Sequence, residues 1–219
     1  MQRPRRQAKQ PTVVCLVRHG TTPTTGKVLP GRARGLHLAE AGRAEASRMA
    51  DHFRSLEAEA VYSSPLERAR ETAAPIAAAL GQRVVIERGL LECDFGDWTG
   101  AELAQLRRLP EWKTVQRNPS GFRFPNGESF AELQARVHGT LVELCQRHPG
   151  TAIVAVSHAD CIKAAAATAL GVPLDLFQRI VVGPCSATVV AYGAEGPRVL
   201  TMNSYCEPPG FRMKRGSGR

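Results

Sequence analysis

The sequence predicts an α/β domain on a mainly parallel sheet with right-handed crossovers. Two runs, Thr12–Val17 and Thr151–Val156, are nearly continuously apolar and rich in β-branched residues, as strands buried on both faces are. Stretches with apolar residues at helical spacing stand between and after them, so strands and helices alternate along the chain.

The first strand, Thr12–Val17, passes into a loop rich in Gly, Pro and Thr that reaches about His37. Ala39–Leu56 reads as a helix, with Ala46, Met49, Ala50, Phe53 and Leu56 on one face. A short strand at Ala60–Ser63 leads into a helix from Pro65, with Ser64 as its N-cap and Glu67 three residues later. Pro75 is expected to kink or end that helix. Arg83–Ile86 reads as a strand, and Leu90–Trp98 as a strand passing into a loop. Ala101–Arg117 looks helical but is interrupted by Pro110, and Asn118–Gly127 is a Pro- and Gly-rich loop. Asp94–Gly127 is thus one insertion-like segment that can serve as a cap. Ser129 and Glu132 form a capping box for a helix with the stripe Phe130, Leu133, Val137, Leu141 and Leu144. Asp160–Leu170 is an alanine-rich helix. Strands near Ala187–Tyr192 and Arg198–Met202 close the domain, the last of them an edge open to a homodimer.

A chain of 219 residues with 43% hydrophobic content supports one domain with a real core. The net charge of +9 suggests nucleic acid until its placement is considered. Arg3, Arg5, Arg6 and Lys9 sit at one end, and Arg212, Lys214, Arg215 and Arg219 at the other. Without these eight, 21 basic residues face 20 acidic ones, so the body is nearly neutral. The expectation is a single domain over 12–206 between disordered basic tails at 1–11 and 207–219, with no nucleic-acid or membrane partner. Six scattered cysteines with no C-x-x-C pair suit reduced thiols in a cytoplasmic protein, with Cys15 and Cys145 as small core residues. No run approaches the length of a membrane span or a signal-peptide core.

Ligands of open α/β sheets bind beyond the carboxyl ends of the strands. Arg18 and His19 end the first strand, His158 ends the strand Thr151–Val156, and Arg68 lies in the first turn after Ala60–Ser63. Two arginines with forked donors suit phosphate oxygens, and a neutral imidazole beside them is a competent nucleophile toward phosphorus. The pattern points to phosphoryl transfer. His37, His52, His138 and His148 lack such placement and read as loop or helix-surface residues.

The motifs LVRHG, SSPLERARETA, LLECDFGDWTG, PNGES and VSHAD, in that order, resemble the histidine phosphatase superfamily, which includes the cofactor-dependent phosphoglycerate mutases. The resemblance runs from about Thr12 to Asn203. It implies the phosphoglycerate mutase-like fold, a three-layer sandwich with helices on both faces of the sheet. It makes His19 the nucleophile that becomes a phosphohistidine, Arg18 and Arg68 the phosphoryl clamp, and His158 the second histidine of the pocket. Glu92 matches the acid that protonates the leaving oxygen; Asp94 and Asp97 are alternatives by composition. One carboxyl group can serve as acid and then as base if its pKa is raised. No metal and no cofactor is required.

Gly20 is expected to let the backbone turn beside the phosphate. Thr21 and Thr25 stand where many relatives carry glutamate and asparagine, and are expected to contact substrate. These departures, and the shortness of 94–127, favour a phosphomonoesterase acting on a small phosphorylated metabolite over a mutase. A binding protein with lapsed chemistry is a third reading. Arg107 and Arg108 read as a solvated face, whereas Arg32, Arg34 and Arg123 are candidates for a second anionic group of the substrate.

Overall fold

The computed structural model describes residues 10–205; the expected basic tails and Cys206 lie almost wholly or wholly outside the described residues. Six strands form one sheet: β1 (Thr12–Arg18), β2 (Ala58–Ser63), β3 (Val84–Ile86), β4 (Ala152–Ser157), β5 (Ala187–Gly193) and β6 (Gly196–Ser204). Their order is β3-β2-β4-β1-β5-β6. The first four are mutually parallel, and β5 and β6 run antiparallel at one edge. The α/β class and the mainly parallel sheet are as expected.

Successive side chains of a strand point to opposite faces, and each face has its own helices. Cys15, Val17, Val61, Val154 and Val156 pack against α1 (Glu40–Phe53) and α2 (Glu67–Ala79). Val14, Leu16, Ile153 and Ala155 pack against α5 (Phe130–Arg147) and α6 (Ala159–Leu170). The predicted stripe of α5 is wholly buried. Its capping box is formed, with Ser129 Oγ accepting from the Glu132 N–H at 3.2 Å and Glu132 Oε2 accepting from the Ser129 N–H at 2.9 Å.

Segment 94–127 carries two short helices, α3 (Leu103–Leu106) and α4 (Pro110–Arg117), with Pro110 at the start of α4 rather than inside one long helix. Trp98, Leu106, Val115 and Phe124 from this segment join the core of the α5–α6 face. Leu29 donates its N–H to the Ala101 carbonyl and accepts from the Gly100 N–H, and the Leu103 N–H donates to the Lys27 carbonyl, so the segment is continuous with the rest of the domain.

Four expectations are corrected. Ser64 is not the N-cap of α2: its oxygen meets His158 Nε2 at 2.8 Å and accepts only the Leu66 N–H, at 3.4 Å, while the helix begins after Leu66 with no side-chain cap. Pro75 does not end α2, which runs on to Ala79 because Ile76 and Ala77 are buried against the sheet. Leu90–Trp98 is not a strand. Single 3-10 turns flank an extended stretch whose carbonyls are met by arginine side chains instead of a neighbouring strand. His148 is not a surface residue, since its Nε2 meets the Tyr62 hydroxyl at 2.8 Å at the far end of the sheet.

Candidate active site

The pairing of β1 with β4 puts Arg18 opposite Ser157, so the next residues, His19 and His158, leave the sheet side by side. Their ring centroids are 5.2 Å apart. Ser64, which follows β2, donates its N–H to the Val156 carbonyl at 3.0 Å and joins the same edge. Arg68 then descends from the first turn of α2 between the two imidazoles. Its Nε donates to His19 Nε2 and its Nη2 to His158 Nδ1, each at 3.3 Å, while Nη2 also donates to the Gly31 carbonyl at 2.7 Å.

These contacts set the tautomers, because an arginine only donates and a carbonyl only accepts. His19 Nδ1–H donates to the Gly20 carbonyl at 2.8 Å, leaving a lone pair on Nε2. His158 Nε2–H donates to Ser64 Oγ, leaving its lone pair on Nδ1 toward Arg68. Burial, then Arg68 and other neighbouring charge, hold both imidazoles well below the usual histidine pKa, so both are neutral at pH 7.

A cavity of about 370 Å³ opens at this edge, lined by Arg18, His19, Thr22, Thr25 and Glu92 among others. Arg18 Nη1 donates to the Val182 carbonyl at 2.8 Å. Arg18 Nε and Arg68 Nη1 are buried with no hydrogen-bond partner, which is unusual in a folded protein and suits donors that can meet an anion. Burial presses the pKa of both guanidiniums down, with the Glu92 carboxylate opposing. Arg68 and His158 are fully buried behind His19 and do not line the cavity.

Glu92 is 7% exposed, and its pKa is pushed up to about 7 by burial first and by Asp160 next, against the Cys93 N–H, Arg68 and Arg18. Its backbone is gripped from two sides. Arg32 Nε donates to the Glu92 carbonyl at 2.9 Å, and Arg136 Nη1 donates to the Gly89 and Leu91 carbonyls at 2.8 and 2.9 Å. Glu128 balances both arginines, bidentate to Arg136 at 2.9 Å and 3.1 Å from Arg32. Arg32 is thereby spent on positioning Glu92 and not open to a second anion, and Arg123 is likewise paired with Glu132.

Gly20 and Thr21 do not line the cavity. Gly20 takes no left-handed φ; it is small because a Cβ there would lie 2.6 Å from the Gly42 carbonyl oxygen in α1. The Thr21 N–H and hydroxyl both donate to the Glu45 carboxylate at 2.8 Å, which fastens the loop to α1. Thr25 does line the cavity, though its hydroxyl already accepts from the Thr22 N–H at 2.9 Å. Sequence reasoning missed Thr22, Lys163 and Gln178 on the wall. Asp160, the last residue of the VSHAD motif, was the one available signal for the α6 side of the cavity. Among the described residues no cluster of three His, Cys, Asp or Glu side chains is arranged to hold a metal ion, and no helix is long and apolar enough to cross a membrane.

The model of the histidine phosphatase superfamily (branch 1) matches residues 14–205. Phosphoserine phosphatase 1 of Hydrogenobacter thermophilus is 32% identical over 80% of this chain and 86% of its own length. A probable phosphoglycerate mutase, GpmB, of Cronobacter sakazakii is 31% identical over 82% of this chain and 84% of its own. Among solved structures, a mycobacterial glucosyl-3-phosphoglycerate phosphatase superposes with a TM-score of 0.80 at 25% identity, covering 90% of this chain and 100% of that one. YhfR of Bacillus stearothermophilus gives 0.83 at 25% identity over the same shares.

Proposed function

The chain belongs to the histidine phosphatase superfamily, branch 1, and from that premise we propose that it hydrolyses phosphomonoesters of small metabolites through a phosphohistidine at His19. The observation that carries the reading is the buried, neutral His19 with its Nε2 lone pair free of a proton, set among two arginines that each keep an unpartnered donor. In the proposed first step Nε2 attacks phosphorus in line with the ester oxygen. Arg18 and Arg68 neutralise the phosphoryl oxygens, and Glu92, protonated, gives its proton to the departing alkoxide. In the second step the Glu92 carboxylate takes a proton from water, which attacks the phosphohistidine and releases phosphate. A pKa near 7 suits a group that must be acid in one step and base in the next.

We assign His158 to positioning: its Nδ1 accepts from Arg68 and holds that guanidinium against His19. The names of the relatives, phosphoserine phosphatase and glucosyl-3-phosphoglycerate phosphatase among them, support a small phosphorylated substrate. Cys15, Cys93, Cys145 and Cys161 are free thiols, which supports assignment to a reducing compartment such as the cytoplasm. The test is phosphate release from p-nitrophenyl phosphate, with and without chelator, by wild type and His19→Ala. Chelator-insensitive release that the substitution abolishes is expected. Release that survives His19→Ala, or that requires a divalent cation, overturns the proposal. A mutase would instead convert 3-phosphoglycerate to its isomer faster than it releases phosphate.

A further inference from the structure

The reaction proposed above leaves one polar cluster of the cavity wall unused. Lys163 Nζ donates to Asp160 Oδ1 and to Gln178 Oε1, each at 3.1 Å. All three side chains line the cavity that holds Arg18, His19 and Glu92. They also line an adjoining cavity of about 340 Å³ whose wall is largely apolar, with Phe95, Trp112, Phe124 and Phe130. The cluster therefore stands where the phosphoryl end passes into an aromatic annex. The side chains of Asp160 and Lys163 are only 14% and 17% exposed, so their charges act on a bound ligand with little screening.

The charges around the site divide cleanly. Arg18 and Arg68 match the two negative charges of a phosphomonoester dianion. Of the charged groups that line the first cavity, what remains beside the alcohol is one carboxylate and one ammonium already held by it, next to the Gln178 amide. Net charge there is zero. An anionic alcohol would face the Asp160 carboxylate while Lys163 is occupied. The other cation of the annex, Arg107, is an exposed residue whose charge water and salt screen.

We infer that the Asp160–Lys163–Gln178 cluster selects phosphomonoesters whose alcohol carries no net charge but offers hydrogen-bonding groups, either hydroxyls or a balanced ammonium–carboxylate pair. It disfavours an alcohol bearing a second anion. This rests on the phosphomonoesterase reading and adds the substrate class to it.

The experiment compares kcat/KM for three esters of similar size: glycerol 3-phosphate (neutral alcohol), O-phosphoserine (zwitterionic) and 3-phosphoglycerate (anionic). Wild type is expected to prefer the first two by about tenfold or more. Asp160→Asn frees Lys163 for the carboxylate and should narrow that ratio about tenfold, while Lys163→Met should widen it. Ratios within one variant at one pH cancel any common effect on Glu92. A wild type that turns over 3-phosphoglycerate as well as or better than both other esters overturns the inference. So does a ratio unmoved by Asp160→Asn, or hydrolysis of p-nitrophenyl phosphate with none of the three. Failure of the underlying reading looks different: even p-nitrophenyl phosphate then shows no His19-dependent hydrolysis, and the inference falls with it.

Discussion

Glu92→Gln is expected to stabilise the protein while disabling it. The carboxyl group is buried, and its pKa is raised from 4.5 to about 7. Glutamine keeps its shape and the Oε1 that accepts the Cys93 N–H at 3.0 Å. A displacement of about 2.5 pH units, at 1.36 kcal/mol for each, amounts to about 3 kcal/mol. Between pH 4.5 and 7 the folded state keeps a proton that the unfolded chain has released. Stability from this group therefore falls as pH rises through that window, and the whole cost stands above pH 7. Glutamine has no proton to lose. The variant should exceed wild type by about 3 kcal/mol at pH 8 and by under about 1 kcal/mol at pH 5. His19 and His158, with depressed pKa values, act in the opposite sense: their contribution is lost as pH falls through about 6.5 and below. They are common to both proteins and leave the difference largely unchanged. Urea unfolding followed by tryptophan fluorescence at the two pH values reads it directly. An equal difference at pH 5 and pH 8, or a variant less stable than wild type at pH 8, refutes the reasoning. Phosphate release by the variant should drop by roughly 10²- to 10⁴-fold.

Other expectations concern the supports of the site. Gly20→Ala forces a methyl against the Gly42 carbonyl, 2.6 Å from the new Cβ, and should cost about 1–3 kcal/mol in thermal or urea unfolding. Arg136→Met leaves Glu128 with less of its compensation and removes donors from the Gly89 and Leu91 carbonyls; a loss of about 3–5 kcal/mol is expected, with lower kcat from a loosened Glu92. Ser64→Ala orphans the Nε2–H of His158, at a cost of about 1–3 kcal/mol, and should raise KM as Arg68 loses its fixed neighbour. The single-turnover rate of the phosphorylation step should fall as pH rises through about 7, where Glu92 loses the proton it must donate; a flat profile removes Glu92 from that role.

What could be read from the sequence follows the range of the forces involved. Thr12–Val17 and Thr151–Val156 announce themselves because a strand buried on both faces has little choice but apolar residues. Arg18, His19 and His158 could be placed at one edge because two parallel strands share that edge. The capping box at Ser129 is local chemistry and was legible for that reason. Ser64 carries the same local signature before α2, yet its oxygen lies 2.8 Å from the buried His158 imidazole and meets only the Leu66 N–H, at 3.4 Å, on the helix side. Leu90–Trp98 has strand composition, but its partners are the side chains of Arg32 and Arg136, distant in sequence and invisible to periodicity. For Lys163 and Gln178 the barrier was of the same kind. An i,i+3 pair such as Asp160 and Lys163 usually lies on a solvated face, whereas here Phe177 and Gln178 of the turn at 174–179 pack against Lys163 and help to enclose it.

The central claim, that the phosphoryl group passes through Nε2 of His19, is tested most directly by a rapid alkaline denaturing quench. The enzyme would be mixed with a labelled phosphomonoester for milliseconds, digested, and the label mapped by mass spectrometry and phosphorus NMR. One equivalent or less of acid-labile, alkali-stable label on His19, bound at Nε2 because Nδ1–H is committed to the Gly20 carbonyl, is the predicted result. Turnover with no labelled protein, or label on a hydroxyl, a carboxylate or another histidine, would contradict it.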